Sequence, residues 1–159
     1  MAKLRSITPE LVVETARAWL NTPYHHQCAV RGAGCDCLGL IRGVFFDLHG
    51  FHPELPPAYT QTWGEYGKEE LMMEAAKRNL VLVAAADGPG GHVLPLAEQR
   101  WQVGDVLLFR ARLGAVAKHC GIVSGEDSMI HSYSGYGVRE TSIGIWGSRT
   151  AGVFKFPGL

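Results

Sequence analysis

The sequence predicts an α+β fold in which N-terminal helices pack on a C-terminal antiparallel β-sheet. Two patterns support this fold class. Apolar residues recur at helical spacing in three segments before residue 81, whereas from Val103 onward short β-like runs alternate with glycine-rich turns. The chain has 159 residues, a length at which folding buries roughly two thirds of the unfolded surface. We therefore expect a single domain over residues 1–159.

The first helix is predicted over about residues 9–20. Thr8 is a suitable N-cap, Pro9 fits the first turn, and Asn21-Thr22-Pro23 ends the pattern. Its apolar face is formed by Val12, Ala16, Trp19 and Leu20. Residues 21–35 follow without clear periodicity, so we expect a loop that leads to the second helix and lines a site at its start.

The second helix carries the most informative feature of the sequence, a cysteine in its first turn. Asp36 is a good N-cap, Cys37 follows it, and apolar residues recur at helical spacing from Leu38 to Leu48 before Gly50. The unpaired N–H groups and the positive end of the helix dipole favour a thiolate at such a position. Cys37 is therefore the candidate nucleophile.

The rest of the chain supplies a third helix and four strands. Lys68 to Leu80 has a helical pattern and is followed by an apolar run to Ala86. We predict a turn at Asp87–Gly91, because no Gly-Lys-Ser/Thr sequence follows as in a phosphate-binding loop, and a β-turn at Ser134–Gly137. The strands are predicted at Asp105–Arg110, Lys118–Ser124, Ser128–Tyr133 and Gly152–Phe156.

Two histidines are placed to serve the cysteine. A cysteine hydrolase needs a base near the thiol and a third polar group that orients this base. His119 and His131 lie on two predicted strands joined by Gly125-Glu126-Asp127, so their rings meet if the strands pair and both side chains face the same side. We assign His119 as the base and His131 as its orienting residue. The alternative is that Cys37 and both histidines are ordinary core or surface residues.

The other cysteines and histidines do not suggest a metal centre. The chain has no Cys-x-x-Cys pair, and His119 and Cys120, as neighbours on one strand, point to opposite faces. We predict that Cys120 is a core residue, and we predict no metal site and no cofactor. Cys28 and Cys35 have no assigned role. Five further histidines are predicted to be solvated or structural, of which the first two lie near the site: His25, His26, His49, His52 and His92.

Charge and hydropathy exclude several classes of partner. Lys and Arg together number 15, as do Asp and Glu, and no dense basic run is present, so nucleic acid is not an expected partner. No run of 18 apolar residues occurs, so we expect no membrane insertion. The N-terminal residues lack an apolar signal core. We therefore expect synthesis in a cytoplasm without a signal peptide, and reduced thiols.

Several motifs together resemble the NlpC family of papain-like cell-wall peptidases, in order and spacing across most of the chain. The matching segments are Asp36–Leu40, Val103–Phe109, His119–Val123 and Met129–His131. Thr22–Gln27 and Arg31–Cys35 resemble the branch that is encoded with bacteriophage tail genes and related gene-transfer particles. The resemblance implies a papain-like fold and hydrolysis of peptidoglycan stem peptides, commonly between γ-D-glutamate and a diamino acid.

The resemblance also implies roles for individual residues. The matching positions make Cys37 the nucleophile, His119 the base and His131 the orienting residue. Tyr24 matches a tyrosine near the family's site, which binds substrate or donates to the oxyanion. The alternative for Tyr24 is a loop aromatic that covers the helix.

One position departs from the family pattern. Leu38 stands where the family often has Ser, and its side chain cannot hydrogen-bond a peptide amine. Asp36 either caps the helix or pairs with a substrate amino group. Separate wall-binding modules are usual in the family and do not fit within 159 residues, so we expect targeting by a partner, a phage-like tail-tip assembly, and incorporation in a virion or tail that acts on the cell wall. Two alternatives stay open: a structural tail-tip component with a weak or idle site, and a papain-like acyl or amide transferase.

Overall fold

The computed structural model describes residues 6–60, 69–86 and 92–159. The predicted turn at Asp87–Gly91 lies outside these residues. Three helices come first along the chain, at Pro9–Arg17 (α1), Cys37–His49 (α2) and Leu71–Asn79 (α3). A short hairpin of β1 and β2 precedes α2, and six longer strands follow α3. The strands are Ala29–Val30 (β1), Gly34–Cys35 (β2), Val81–Ala85 (β3), Val106–Arg110 (β4), Ala117–Gly125 (β5), Ser128–Tyr133 (β6), Gly137–Ser142 (β7) and Thr150–Lys155 (β8).

The six longer strands form one antiparallel sheet in the order β3-β8-β4-β5-β6-β7. The four predicted strands correspond to β4, β5, β6 and β8 with shifts of at most two residues at either end. The sheet also contains β3 and β7, which the sequence patterns did not predict. The α+β class with helices before the sheet is thus confirmed.

The capping residues correctly predict the start of α1 and both ends of α2. The Thr8 side chain accepts from the N–H of Leu11, and Asp36 and a left-handed Gly50 flank α2. α1 ends at Arg17, before the predicted end at residue 20, because residues 18–21 form a turn. The third helix begins at Leu71.

The end of α1 is fixed on α2 by one large side chain. The Trp19 indole N–H donates to Oδ2 of Asp47 over 2.9 Å. A Cβ on Gly43 would lie 2.1 Å from this indole ring, so only glycine lets the ring approach the α2 backbone so closely. The contact places α2, which carries the candidate nucleophile, at a fixed position beside α1.

The sheet has a buried layer on each face. The helices cover one face, where the alternate residues Val106, Leu108, Ile122, Ile130 and Phe154 meet apolar side chains of α1, α2 and α3. The opposite face buries a smaller cluster beside a 3-10 helix at Gly144–Arg149: Leu94, Leu107, Phe109, Val123, Met129, Ile143 and Val153. No described helix is long and apolar enough to cross a membrane.

A buried arginine joins the end of β4 to three surrounding segments. Arg110 is 1% exposed, and its guanidinium donates to the carbonyl of His92 over 2.6 Å and to that of Ala115 over 2.9 Å. It also forms an ion pair with Glu70, whose second carboxylate oxygen accepts from the N–H of Ala117 over 3.0 Å. These bonds connect the start of β5 with the segment that precedes α3.

Candidate active site

Cys37 is the first residue of α2, as predicted. Oδ1 of the N-cap Asp36 accepts from the N–H of Gly39 over 2.7 Å. A Cβ on Gly39 would lie 1.8 Å from the carbonyl oxygen of Cys28, so the loop before the helix presses directly on its first turn. The sequence Asp-Cys-x-Gly therefore combines a cap, a thiol and a residue small enough for this contact. Among the described residues, no group accepts from the N–H of Cys37.

The carboxylate of Asp36 is buried and hydrogen-bonded on both oxygens. Oδ2 accepts from the N–H of Gln27 over 2.9 Å and from the hydroxyl of Tyr59, and the side chain of His26 lies 3.8 Å away. Asp36 is 3% exposed. Of the two roles considered for Asp36, the structure shows the helix cap.

His119 and His131 meet as the strand pairing predicts. They lie on β5 and β6, which pair between the turn and the residue pair Ile122–Ile130. Both histidines lie just past this last pair, on the side away from the turn. Their rings face the same side of the sheet, with Nε2 of His119 2.8 Å from Nδ1 of His131.

The hydrogen bonds beyond this pair define the tautomers. Nε2 of His131 lies 3.0 Å from Oγ1 of Thr141, and that hydroxyl donates its proton to the carbonyl of Ser142. His131 must then donate from Nε2 and accept at Nδ1, so neutral His119 carries its proton on Nε2 and keeps Nδ1 free to accept one. Burial, and secondly the charge of His119, lower the pKa of His131 to about 4, which keeps this acceptor neutral at ordinary pH.

The thiol of Cys37, at the start of α2, lies beside strand β5 of the sheet. It is half-buried, and Sγ lies 3.8 Å from the carbonyl oxygen of Lys118 on β5. A hydrogen bond with the Cys120 thiol and, after it, a hydrogen bond and charge interaction with His119 lower the pKa of Cys37, against the opposing effects of burial and of Asp36. These interactions favour the thiolate form of Cys37. The arrangement can thus supply a nucleophile, a base and a polar group that orients the base.

Tyr24 lies in the same cleft as Cys37 and His119. Its backbone forms a bridge with Cys35, which holds the tyrosine next to the start of α2. Burial, followed by the charges of Cys37 and Asp36, raises the pKa of Tyr24 to about 12, so its hydroxyl keeps the proton needed for donation. It is half-buried, which is compatible with both roles considered for it.

The described part of the site contains several residues that the sequence patterns did not single out. Thr141 lies on the unpredicted strand β7, and Tyr59 lies in a proline-rich loop with no catalytic signature. Rings of Trp146, Tyr133 and Phe109 surround His119, with centroid distances of 4.7, 5.6 and 6.0 Å.

Other titratable residues have mainly structural surroundings. His49 bridges the carbonyls of Phe45 and Pro157, with 2.9 Å from each ring nitrogen. His26 lines the cleft, whereas the exposed His25 packs its Cβ over Gly34. Among the residues that the structure describes, no group of three His, Cys, Asp or Glu could hold a metal ion.

Solved structures with this fold include several NlpC/P60 proteins. An NlpC/P60 family protein from Bacillus cereus gives a TM-score of 0.66 at 19% identity, over 97% of this chain and 42% of that chain. The NlpC/p60 domain of the peptidoglycan hydrolase SagA gives 0.58 at 18% identity, over 94% of this chain and 100% of that domain. The peptidoglycan hydrolase RipB from Mycobacterium tuberculosis gives 0.52 at 18% identity, over 92% and 63%. The chain thus spans less than half of the Bacillus cereus protein's length, and at these identities the likeness shows the papain-like fold.

The family is shown by the sequence itself. No curated protein matches the chain. The profile of the NlpC/P60 family, however, matches residues 21–155, a segment that begins before α2 and ends with β8 and that contains Cys37, His119 and His131. The predicted resemblance to this family is therefore confirmed, and the chain belongs to the NlpC/P60 family.

Proposed function

We propose that the protein is a cysteine peptidase that hydrolyses an amide bond in peptidoglycan stem peptides. The observation that carries the proposal is the cleft lined by both Cys37 and His119, together with the 2.8 Å between the imidazoles of His119 and His131. The substrate class is supported by family membership and by the names of two proteins with this fold, SagA and RipB, which are peptidoglycan hydrolases.

The mechanism follows from the positions of the protons. Nδ1 of His119 takes the thiol proton, and the Cys37 thiolate attacks the scissile carbonyl carbon. The N–H of Cys37 and the Tyr24 hydroxyl donate to the developing oxyanion. Protonated His119, held through Nε2 by His131, gives its proton to the departing amine, which leaves an acyl-enzyme on Cys37. Water, deprotonated by His119, then releases the acid and restores the thiol.

We propose the bond between γ-D-glutamate and a diamino acid as the one that is cleaved. Leu38 lines the cleft beside Cys37 and presents an apolar surface where a serine would offer a hydroxyl. Recognition of a substrate amino group then falls to other groups, and the buried Asp36 already has protein donors on both oxygens. The choice of stem peptide by this chain should therefore not depend on a side-chain hydrogen bond from residue 38, in contrast to family members with serine there.

We further propose that residues 1–159 act as a single peptidase domain within a phage-like tail, made in the bacterial cytoplasm and brought to the wall by tail proteins. The sequence resemblance of the Thr22–Gln27 and Arg31–Cys35 segments to the tail-encoded branch supports this setting. These segments form the loop that leads to the nucleophile. Sedimentation of the purified protein with isolated tails tests the proposal directly.

Digestion of purified peptidoglycan tests the activity. Wild type should release peptides whose masses identify the cleaved bond, and Cys37→Ala should release none while keeping the wild-type circular dichroism spectrum. Cys28→Ala removes a nearby loop thiol and should retain activity. Equal digestion by Cys37→Ala and wild type would contradict the mechanism.

Two further results would favour the alternative functions. No release together with a poorly reactive Cys37 would favour a structural tail component, because an idle site has no need of an activated thiol. Added amines that are incorporated into the products, in place of water, would favour an amide transferase.

A further inference from the structure

A second thiol meets the nucleophile from the interior of the fold. Cys120 follows His119 on β5 and points to the opposite face of the sheet, toward α2. It is 1% exposed, and its Sγ lies 3.3 Å from the carbonyl oxygen of Cys37. Cys120 therefore contacts the backbone of Cys37 from the side of α2, and its neighbour His119 lines the cleft that holds the Cys37 thiol.

We propose that Cys120 is a positioning residue of the active site. Its S–H donates to the carbonyl of Cys37 while the Cys37 thiol is neutral. When the Cys37 thiolate forms, the S–H of Cys120 turns to donate to that thiolate. This inference rests on Cys37 being the nucleophile. Both acceptors belong to the same residue, and a thiol proton moves between them by rotation about the Cβ–Sγ bond without displacing the sulfur. Cys120 is packed in the buried core between the sheet and α2, next to Cys37.

The electrostatics support this division of roles. The hydrogen bond from Cys120 is the largest cause of the lowered pKa of Cys37. The same bond, together with burial, raises the pKa of Cys120, so Cys120 keeps its proton and remains a donor. Other titratable groups line the cleft around the nucleophile and share its field: Tyr24, His26, Asp36, Tyr59, Lys118, His119 and Tyr133.

Only Cys120 among the other three cysteines has this geometry. Cys35 is buried, but its carbonyl accepts from the hydroxyl of Ser132 over 2.8 Å, and burial raises the pKa of its thiol to about 12. Cys28 lies in the loop, where its backbone carbonyl accepts from the N–H of Asp36 over 3.3 Å. Cys28 therefore offers a matched control, a thiol close in sequence whose described contacts are made by its backbone.

The test is the pH dependence of alkylation at Cys37. Iodoacetamide labelling is followed between about pH 4 and 9, with mass spectrometry of the peptide that contains Cys37, so that the other thiols do not contribute. Cys120→Ala removes the donor and should raise the midpoint of labelling by about one pH unit, whereas Cys120→Ser retains an O–H donor and should raise it much less. Cys28→Ala should leave the midpoint unchanged.

The possible outcomes separate donation from packing. An unchanged midpoint in Cys120→Ala overturns the proposal, and so do equal increases in Cys120→Ala and Cys120→Ser, because they would trace the effect to the altered cavity. If Cys120→Ala fails to fold, Cys120→Val fills more of the volume without a donor and takes its place. The labelling assay contains no peptidoglycan. Its result therefore does not depend on whether the wild type hydrolyses peptidoglycan.

Discussion

His131 sets the proton positions of the site through one hydrogen bond on each side of its ring. It donates to Thr141 from Nε2 and accepts from His119 at Nδ1. This pattern requires an uncharged ring, and burial provides it by lowering the pKa of His131 to about 4. In the proposed mechanism, an imidazole thus takes the place of an amide or carboxylate as the group that orients the base.

The depressed pKa of His131 predicts an acid sensitivity of the fold. Unfolded chains bind a proton at this residue below about pH 6.5, whereas the native state resists it until about pH 4. The unfolded state therefore binds more protons in this window, and the free energy of unfolding should fall as the pH falls, by at most about 3 kcal/mol. Urea denaturation at several pH values measures this loss.

A variant without the titrating ring serves as the control for this experiment. His131→Asn retains hydrogen-bonding groups but does not titrate. Its free energy of unfolding should decline less steeply between pH 6.5 and 4. Parallel curves for the variant and the wild type would assign the acid sensitivity to other groups.

Sequence reasoning reached some site residues and missed others for a physical reason. Local patterns predict Cys37 after an N-cap, and one turn between adjoining strands is enough to bring His119 and His131 together. Thr141 reaches the site through the pairing of β7 with β6, and Tyr59 through the path of its loop. Neither has a local sequence pattern that predicts it. Cys120 was predicted as a core residue, which its burial confirms, but its contact with Cys37 depends on where α2 crosses β5.

At the scale of elements, the start of α2 depends on contact with the loop before it. The carbonyl of Cys28 accepts from the N–H of Asp36 and lies where a side chain on Gly39 would stand. The loop and the first helical turn are therefore fitted to each other. A change at this contact should move the nucleophile as well as the helix.

Gly39→Ala is expected to reduce both stability and thiol reactivity. Its Cβ would lie 1.8 Å from a backbone oxygen, so the first turn of α2 must shift. We expect a loss of about 2 kcal/mol in the free energy of unfolding and slower alkylation of Cys37 at pH 7. Chemical denaturation and labelling rates measure the two effects.

A glycine with space around it provides the comparison. A Cβ on Gly147 would meet its neighbours at 3.8 Å or beyond, which is ordinary van der Waals contact. Gly147→Ala should therefore stay close to wild type in both measurements. Similar losses at the two positions would show that the loop contact has no special role.

The unpredicted strands lie at the two edges of the sheet. β3 came from an apolar run whose residues 81–83 are exposed, and β7 has four consecutive exposed residues, so neither has the alternation of a half-buried strand. Their pairing with β8 and β6 is a long-range property. Central strands, which bury residues on both faces, were predicted well.

At the scale of the whole molecule, Arg110 fastens together segments that are distant in sequence. Its guanidinium bonds to the carbonyls of His92, Ala115 and Ala86 and pairs with Glu70. Loss of this side chain would leave three carbonyls without this donor and the Glu70 carboxylate without its charged partner. The cost of such unpaired groups is large where water is excluded.

Arg110→Met should lower the free energy of unfolding by roughly 3 kcal/mol, because methionine fills much of the volume but donates no hydrogen bonds. Arg17→Met removes an exposed ion pair with Glu140 and should change stability little. Urea denaturation of the two variants tests the contrast. A small effect at Arg110 would mean that water replaces the guanidinium.

The order of the site residues along the chain has a consequence for biosynthesis. Cys37 precedes His119 by more than half of the sequence, and Thr141 comes later still. A growing polypeptide on the ribosome therefore carries the sulfur of the nucleophile well before the imidazoles that it needs. In the proposed mechanism, hydrolysis requires residues up to β7, so chains whose translation stops before β7 should not hydrolyse peptides.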